Sequence, residues 1–427
     1  MFSRLLIRTA AAYAQMMSSD HSKHKPVIHE TVSGRAPDEI TAEASAVGDG
    51  AIPKLIGEFW TSRQRQASSL HEVSYRACFK PQLPRYFIER YTSPGDLVYD
   101  PFGGRGTTAI EAGLMGRHIA SNDANPLSEI LTRPRLTPPA ADAVQERLDS
   151  ICIDRNLKAE IDLSMFYHPG TEAEILSIRD YLRERRARER EDDVDRWIRM
   201  VATTRLTGHS PGFFSVYTFP PNQAVSAESQ LKINARLKQK PEYRNTKQLI
   251  LKKTASLLAK VSAQQRANLT GAAKTAIFIV SDARETSRLR TASVQLTVAS
   301  PPFLDVVKYA SDNWLRCWFN CLDLDEISHR ITMAKTVAEW ARVMGAVFRE
   351  LARVTAMGGW IAFEVGEIRG GKLKLEEQVV PLGIDAGLIC KAVIINSQTF
   401  TKTSNLWGIT NNEAGTNTNR IALFHKE

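Results

Sequence analysis

The sequence predicts an α/β protein: a Rossmann-like sheet with helices on both faces and an inserted, largely helical region. A short apolar run at residues 97–99 precedes a glycine-rich turn and a helix, and a second apolar run follows at 118–121, which together form one βαβ unit. Apolar runs of strand length resume after residue 275. The stretch between, about 130 to 274, has the longer period of helices and is therefore predicted to be an insertion.

Four segments follow one another along the chain. We expect a flexible N-terminal arm at 1–60, because its residues 17–50 are polar and show no sustained period. The first part of the α/β domain is predicted at 61–129, the inserted helical and basic region at 130–274, and the second part of the domain at 275–427. In the second part, the apolar runs predict strands at 276–280, 294–298, 360–365, 393–395 and 421–424, with a helix at 337–354.

The composition excludes two classes of protein. Of the 427 residues, 43% are hydrophobic and 24% are charged, which is typical of a folded protein and excludes a wholly disordered chain. No apolar run approaches the roughly 20 residues that span a bilayer, so a membrane protein is excluded. The 56 Lys and Arg against 47 Asp and Glu give a formal net charge of +9, which favours a polyanionic partner.

The cysteines indicate the compartment. There are five, an odd number, and no two form a Cys-x-x-Cys pair, so neither a disulfide framework nor a metal site is expected. A reducing, intracellular compartment follows. The first 19 residues contain Arg4 and Arg8 without any acid, which resembles a transit peptide, but a bacterial-type N-terminal arm is the preferred interpretation. We therefore expect a cytoplasmic, nucleoid-associated protein of bacterial type.

The glycine-rich turn predicts a cofactor site. A strand that ends in Asp100 and is followed by Phe102, Gly104 and Gly106 makes a tight loop where the backbone can approach a ligand closely. The loop lacks both the GxGxxG and the GxxxxGK[ST] spacing, which disfavours dinucleotides and nucleoside triphosphates. Asp123 ends the next strand, where an acid can bind ribose hydroxyls. The turn indicates an adenosine-containing cofactor, and the alternative is a turn that serves packing alone.

A second motif predicts the chemistry. In Ser300-Pro301-Pro302-Phe303, the two prolines end the preceding strand and leave carbonyl groups without ladder partners. The Ser300 hydroxyl and the Pro301 carbonyl can accept both hydrogens of an exocyclic amine, and Phe303 can stack on a base turned out of a duplex. The alternative is a purely structural Pro-Pro turn.

These two motifs resemble those of a known family, the amino-directed DNA methyltransferases that use S-adenosyl-L-methionine. Residues 100–108 (DPFGGRGTT) look like its cofactor motif, and residues 300–303 (SPPF) look like its catalytic tetrapeptide. Residues 74–83 resemble the motif that encloses the methionine end of the cofactor, and Asp282 lies where the family places a polar group near the adenine. The resemblance covers about 74–128 and 276–426.

The resemblance implies a class I methyltransferase sheet, S-adenosyl-L-methionine as the cofactor and no metal. The implied catalytic residues are Ser300, Pro301, Pro302 and Phe303. The implied cofactor-binding residues are Phe79, Pro81, Asp100, Phe102, Gly104, Gly106, Thr107, Thr108, Asp123 and Asp282.

The first residue of the tetrapeptide bears on the target base. The Ser-Pro-Pro-aromatic form is associated with cytosine-N4 methylation in restriction-modification, which would add a cognate restriction endonuclease as a partner. The order of the motifs is opposite to that of many cytosine-N4 enzymes. Adenine-N6 methylation of DNA is the first alternative, and an RNA base methyltransferase or an inactive nucleic-acid-binding homologue is the second.

Methylation of carbon 5 is excluded, because it needs a cysteine nucleophile, typically in a Pro-Cys pair, and the chain has no such pair.

The insertion is predicted to bind double-stranded DNA. Its residues 232–253 carry eight basic residues against one acid, which can neutralise phosphates, and amides just upstream can contact base edges. The alternative is a helical lid whose lysines only keep it in solution. No particular oligomeric state is implied. The predicted DNA-binding residues are Asn222, Gln223, Lys232, Arg236, Lys238, Lys240, Arg244 and Lys247.

Overall fold

The computed structural model describes residues 41–47, 50–60, 67–75, 78–219, 223–302, 309–331, 334–368, 373–397 and 418–427. The first 19 residues, Asn222 and Phe303, for which roles are predicted above, lie outside the described residues.

The strands and helices have the following bounds. The strands are β1 Thr41–Val47, β2 Gly50–Gly57, β3 Leu97–Asp100, β4 His118–Asn122, β5 Ile277–Ile279, β6 Val294–Ala299, β7 Thr355–Val365, β8 Glu367–Ile368, β9 Leu373–Lys374, β10 Ile389–Ser397 and β11 Thr418–His425. The helices are α1 Gln82–Tyr91, α2 Thr107–Leu114, α3 Leu127–Thr132, α4 Ala141–Ser150, α5 Pro169–Ala187, α6 Asp193–Arg205, α7 Ala227–Leu237, α8 Thr246–Leu258, α9 Ala263–Ala273, α10 Tyr309–Asp312, α11 Trp314–Phe319, α12 Leu324–Arg330, α13 Val337–Val354 and α14 Glu376–Asp385.

A single mixed sheet organises the chain. Its strands lie in the order β1-β2-β10-β11-β7-β6-β3-β4-β5, and β8 and β9 form a separate two-stranded ribbon. Strands β3 to β7 run parallel, so their carboxyl ends open on the same edge of the sheet. Such an edge is where ligands bind in open α/β sheets. The predicted α/β class is confirmed.

Helices cover both faces of the sheet because neighbouring strand residues point to opposite sides. On one face, Val98 packs in a core with Leu83 of α1 and Ile110 of α2. On the other face, Tyr99 belongs to a core that includes Phe348 of α13 and Val379 of α14. Every one of these side chains is at most 1% exposed. This confirms the predicted arrangement of helices on two faces.

The N-terminal arm differs from its prediction. Instead of a flexible segment to residue 60, β1 and β2 form an antiparallel hairpin, and β2 adds to the sheet by pairing in parallel with β10. Ile52 and Leu55 are buried, and the burial of these apolar side chains stabilises the hairpin. The Asn396 side chain then accepts hydrogen bonds from the backbone of Phe59 (2.8 Å) and Trp60 (3.2 Å), which fixes the exit from β2.

The inserted region is helical, as predicted. It carries α3 to α9 between β4 and β5. Its fully buried Trp197 donates a hydrogen bond of 3.0 Å to Thr254, and Trp197 shares one core with Ile110 beneath the sheet. The insertion therefore packs on the sheet as a continuation of its core. No helix within the described ranges is long and apolar enough to cross a membrane.

Candidate active site

The carboxyl ends of β3, β4, β5 and β6 meet around one cavity. The loop after each strand contributes to its wall, and α13 closes the opposite side. The lining residues are Tyr75, Pro101, Phe102, Gly104, Asn122, Asp123, Ala124, Asn125, Ser281, Asp282, Ala283, Ser300, Pro302, Arg330, Ile331, Ala334, Trp340, Val343, Met344 and Val347. The structure thus brings the glycine-rich turn and the proline segment, about 200 positions apart in the sequence, to the same cavity.

The glycine-rich turn is held by its flanking acids. The carboxylate of Asp100 accepts a hydrogen bond of 3.0 Å from the backbone N–H of Phe102, and that of Asp123 accepts one of 2.7 Å from Gly104. Gly104 has φ +51° and Gly106 has φ +75°, in the left-handed region that favours glycine. A Cβ on Gly106 would lie 2.2 Å from Oγ1 of Thr132, so the start of α2 requires glycine there.

Burial alters the acidity of these carboxyl groups. It raises the pKa of Asp100 to about 7, and it also raises the pKa of Asp123, whose carboxylate is bound by two backbone N–H groups. For Asp282, burial also acts against ionisation, but the hydrogen bonds and positive charge of Arg284 outweigh it and lower the pKa. The three acids of this site therefore differ in how readily they carry charge.

The predicted cofactor residues divide into three groups. Phe102, Gly104, Asp123 and Asp282 line the cavity. A second group, Asp100, Gly106, Thr107 and Thr108, is buried beneath the turn, where the Thr108 hydroxyl donates a hydrogen bond of 3.1 Å to Val298. The third group is Phe79 and Pro81, which pack beside the start of α1 and do not line the cavity.

From the segment before α1, Tyr75 lines the cavity instead. Two buried arginines fix the backbone beside it. Arg105, in the turn, donates a hydrogen bond of 3.1 Å to the carbonyl of Val73, and Arg316 of α11 donates one of 3.1 Å to the carbonyl of Ser74. The Arg316 guanidinium also lies 5.6 Å from the centroid of the Tyr75 ring. Arginines from two distant parts of the chain thus position the Tyr75 ring at the turn.

At the other end of the cavity, Ser300 and Pro302 line the wall, while Pro301 is buried. The indole Nε1 of Trp340 donates a hydrogen bond of 3.0 Å to the carbonyl oxygen of Pro302. Sequence reasoning predicted the helix that carries Trp340 but not its contact with the cavity. The amphipathic pattern of α13 shows which face is buried, and only the fold shows what lies against that face.

A second residue that the sequence did not indicate, Glu364, lies beside Ser300 on the neighbouring strand. It is 8% exposed near the end of β7, where its carboxyl group accepts a hydrogen bond from the side-chain amide of Asn419. Burial raises the pKa of Glu364, and the Asn419 amide and the neighbouring Ser300 hydroxyl oppose that effect. A single acid at the end of an apolar strand gave no sequence signal for this contact.

The polar groups of the cavity fit an adenosine-containing cofactor. Asn125 lines the cavity, and its buried amide Nδ2 has no hydrogen-bond partner among the described residues, so it can donate to a ligand. Asn122 donates to the carbonyls of Pro101 and Ser281, both at 3.1 Å, and so joins the loops that follow β3 and β5. The acids Asp123 and Asp282 supply acceptors for hydroxyl and amino groups.

The predicted DNA-binding residues are of two kinds. Lys232, Arg236, Lys238 and Lys240 lie on or just after α7 and keep their side chains towards solvent, and Gln223 is half-buried. Arg244 and Lys247 instead donate inside the insertion: Arg244 donates to the carbonyl of Phe213 and Lys247 to that of Ile151, both at 2.7 Å. These two hydrogen bonds stabilise the insertion itself, and the phosphate contact of Arg244 and Lys247 stays a prediction.

Comparison with known proteins gives a family match. Residues 22–160 match the model of a family described as DNA methylase. The type II methyltransferase M.MjaII of Methanocaldococcus jannaschii is 32% identical over 76 residues, which cover 18% of this chain and 14% of that protein. The type II methyltransferase M1.MboII of Moraxella bovis is 38% identical over 77 residues, which cover 17% of this chain and 30% of that protein. The matched part of the chain thus spans at most 30% of the length of either relative.

Among solved structures, TTHA0409 of Thermus thermophilus, complexed with S-adenosyl-L-methionine, is 22% identical with a TM-score of 0.21. The alignment covers 34% of this chain and 53% of that one.

Proposed function

On the premise of the match between residues 22–160 and the DNA methylase family model, we propose that the chain is an amino-directed DNA methyltransferase, which methylates the exocyclic amino nitrogen of a base in double-stranded DNA. The favoured target is cytosine N4. One observation carries the proposal: the glycine-rich turn and the proline segment line the same cavity. A site that joins an adenosine-binding turn to an amine-binding pocket is what direct methyl transfer to nitrogen requires.

The cofactor S-adenosyl-L-methionine supplies an electrophilic methyl group when it is bound. Phe102 and Gly104 offer an apolar ring and a close backbone approach, and Asp123 is suited to ribose hydroxyls. Asp282 and the Nδ2 group of Asn125 are suited to the polar edge of the adenine. These five residues all line the cavity.

The proline segment provides the acceptors for the target amine. The amine lone pair is delocalised into the base, so the nitrogen is a poor nucleophile until its hydrogens are held out of the base plane. The Ser300 hydroxyl and the Pro301 carbonyl are the two acceptors, and the flipped base would stack on Phe303. Trp340 donates a hydrogen bond to the next carbonyl, that of Pro302, and this contact holds the proline segment in place.

DNA recognition is assigned to the insertion. Its loop before α7 contacts α10 and α11, which follow the proline segment in the chain: Ala224 N–H donates to the Asp312 carbonyl at 2.9 Å, and Trp314 Nε1 donates to the Val225 carbonyl at 3.1 Å. The exposed cations of α7 therefore follow a loop that packs on these two helices. They can contact phosphates on either side of a base held in the cavity.

A restriction-modification role, with a cognate endonuclease as partner, is part of the proposal. It is supported by the two relatives, both of which are type II methyltransferases. Adenine N6 is the alternative target, because its amine would be held in the same way by Ser300 and Pro301.

The test is nucleoside analysis of DNA from cells that express the chain. The proposal expects 4-methylcytosine in digested DNA from these cells and none with a Ser300→Ala variant made at the same level. Finding 6-methyladenine instead would move the assignment to the alternative base. Finding neither modified base in DNA that the wild-type chain has had access to would overturn the proposal.

A further inference from the structure

The parallel pairing of β6 with β7 places an acid behind the proline segment. Ala299 is opposite Phe363 in this register, so the next residues of the two strands, Ser300 and Glu364, are neighbours at the carboxyl edge of the sheet. The register sets the Ser300 hydroxyl beside the Glu364 carboxyl, whose pKa it lowers, and Asn419 donates a hydrogen bond to the same carboxyl from β11. Ser300 lines the cavity, whereas Glu364 does not.

The chemistry of a hydroxyl group limits what Ser300 can do. A serine hydroxyl has one hydrogen to donate and two lone pairs that accept, and its hydrogen rotates to the best available acceptor. An ionised carboxylate only accepts. When the Ser300 hydrogen is directed to Glu364, the lone pairs of its oxygen are what remains for a group in the cavity.

We propose that Glu364 is a positioning residue that fixes Ser300 as a hydrogen-bond acceptor, so that the pocket selects an amino group and rejects a carbonyl oxygen at that place. The inference deepens the proposed function and rests on it. Bases present both kinds of group at their Watson–Crick edges, for example the N4 amine of cytosine and the O4 carbonyl of thymine. A freely rotating hydroxyl would bind either one, because it can donate as well as accept.

Replacing Glu364 with glutamine reverses the polarity of this contact. The glutamine amide can donate to the Ser300 oxygen, which turns the serine hydrogen towards the cavity, where the amine also presents hydrogens. Two donors then face each other. The loss of one such acceptor is expected to reduce the rate of methyl transfer by about 100- to 1,000-fold, as for removal of one positioned hydrogen-bonding group in an active site.

The experiment is a double-mutant cycle on the full-length chain. Single-turnover methyl transfer to DNA is measured for wild type, Glu364→Gln, Ser300→Ala and the double variant, with S-adenosyl-L-methionine affinity and thermal unfolding measured on each. We expect Glu364→Gln to transfer the methyl group slowly while its cofactor affinity is nearly unchanged. In the Ser300→Ala background, Glu364→Gln should reduce the rate no further. The control is Glu174→Gln, which alters a buried carboxylate of the insertion bonded to Thr246 and is expected to keep wild-type rate.

The outcomes separate the two claims. A wild-type chain that transfers no methyl group to an amino nitrogen overturns the proposed function, and the role of Glu364 with it. If the wild type is active, the role of Glu364 alone is overturned by a Glu364→Gln rate equal to that of the control, or by a loss that is undiminished in the Ser300→Ala background. If Glu364→Gln fails to fold, Glu364→Asp takes its place, because it moves the carboxylate away from Ser300 and keeps its charge. Its loss of methyl-transfer rate must then also disappear in the Ser300→Ala background.

Discussion

The indole Nε1 of Trp340 donates a hydrogen bond of 3.0 Å to the carbonyl oxygen of Pro302. This contact joins α13 to the proline segment, whose carbonyls cannot be satisfied by a regular strand ladder because proline interrupts it. Trp340 is 3% exposed and lines the same cavity as Ser300. The helix that covers one face of the sheet therefore also sets the position of the proline segment.

Trp340→Phe removes the indole N–H and keeps an aromatic ring. We expect the methyl-transfer rate to fall by about 5- to 10-fold. The reason is that the Pro302 carbonyl loses a hydrogen bond worth about 1 kcal/mol, so the proline segment is no longer held in position. Cofactor affinity should change little. Single-turnover kinetics and calorimetric binding check this, with Trp318→Phe as the matched control. The Trp318 indole bonds to Glu160, whose side chain is 57% exposed, so that variant should react at the wild-type rate.

Gly106→Ala tests the packing beneath the glycine-rich turn. Gly106 and Gly116 both have φ +75°, so alanine at either carries the same backbone strain of about 1 kcal/mol. Only at Gly106 would the new Cβ overlap Thr132, at 2.2 Å, whereas at Gly116 the nearest atom, from Asn268, is 3.7 Å away. We expect Gly106→Ala to reduce the free energy of unfolding by about 1 to 3 kcal/mol more than Gly116→Ala. Equal losses in urea unfolding would contradict the close approach.

Asp100→Asn tests the raised pKa of the buried acid. The folded-state pKa of Asp100 is about 7 against an ordinary value of 3.8, so its protonated form favours folding below pH 4 and this contribution is lost as pH rises through 7. Relative to Asp100→Asn, which cannot ionise, the wild type should lose about 4 kcal/mol of unfolding free energy between pH 4 and pH 8. Urea unfolding at several pH values measures the difference.

The contrasting control is Glu350, where the hydrogen bonds of Arg353 are the main cause that lowers the pKa to about 2. Its stabilisation is present above pH 4.5 and is lost as pH falls towards 2, so Glu350→Gln should diverge from wild type in the opposite direction. A pH-independent difference between wild type and Asp100→Asn would show that the Asp100 carboxyl is not held in its neutral form.

Charge reversal tests the proposed DNA-binding surface of the insertion. A triple variant with glutamate at Lys232, Lys238 and Lys240 should bind DNA more weakly, and the slope of log affinity against log salt should become shallower by about 2 to 3. The matched triple variant reverses Lys158, Arg188 and Lys274, which also lie at the surface. Lys232 and Arg188 each form an ion pair within a helix, so each of the two triple variants loses one ion pair. Equal salt slopes for the two triple variants would defeat the assignment.

The sequence was sufficient for the parts of the site that are local in the chain. The strand, turn and helix around Gly104 follow from an apolar run, a glycine cluster and helical residues that are close together in the sequence. The position of Asp123 follows from the next strand of the same βαβ unit. Such contacts need no knowledge of the strand order.

Other parts could not be predicted because they depend on strand order and layer packing. Glu364 reaches Ser300 only because β7 lies beside β6, and Trp340 reaches Pro302 only because α13 packs over that edge. The hairpin of β1 and β2 was missed because its pairing partner, β10, is more than 300 residues later in the chain.

The most direct test of the account is transfer of an isotopically labelled methyl group from S-adenosyl-L-methionine to DNA by the purified chain, followed by mass spectrometry of the nucleosides. The account predicts label on an exocyclic amino nitrogen, that of cytosine first, and its loss in Ser300→Ala, which should still bind the cofactor. Label on carbon 5 of cytosine, or a Ser300→Ala variant as active as the wild type, would contradict it.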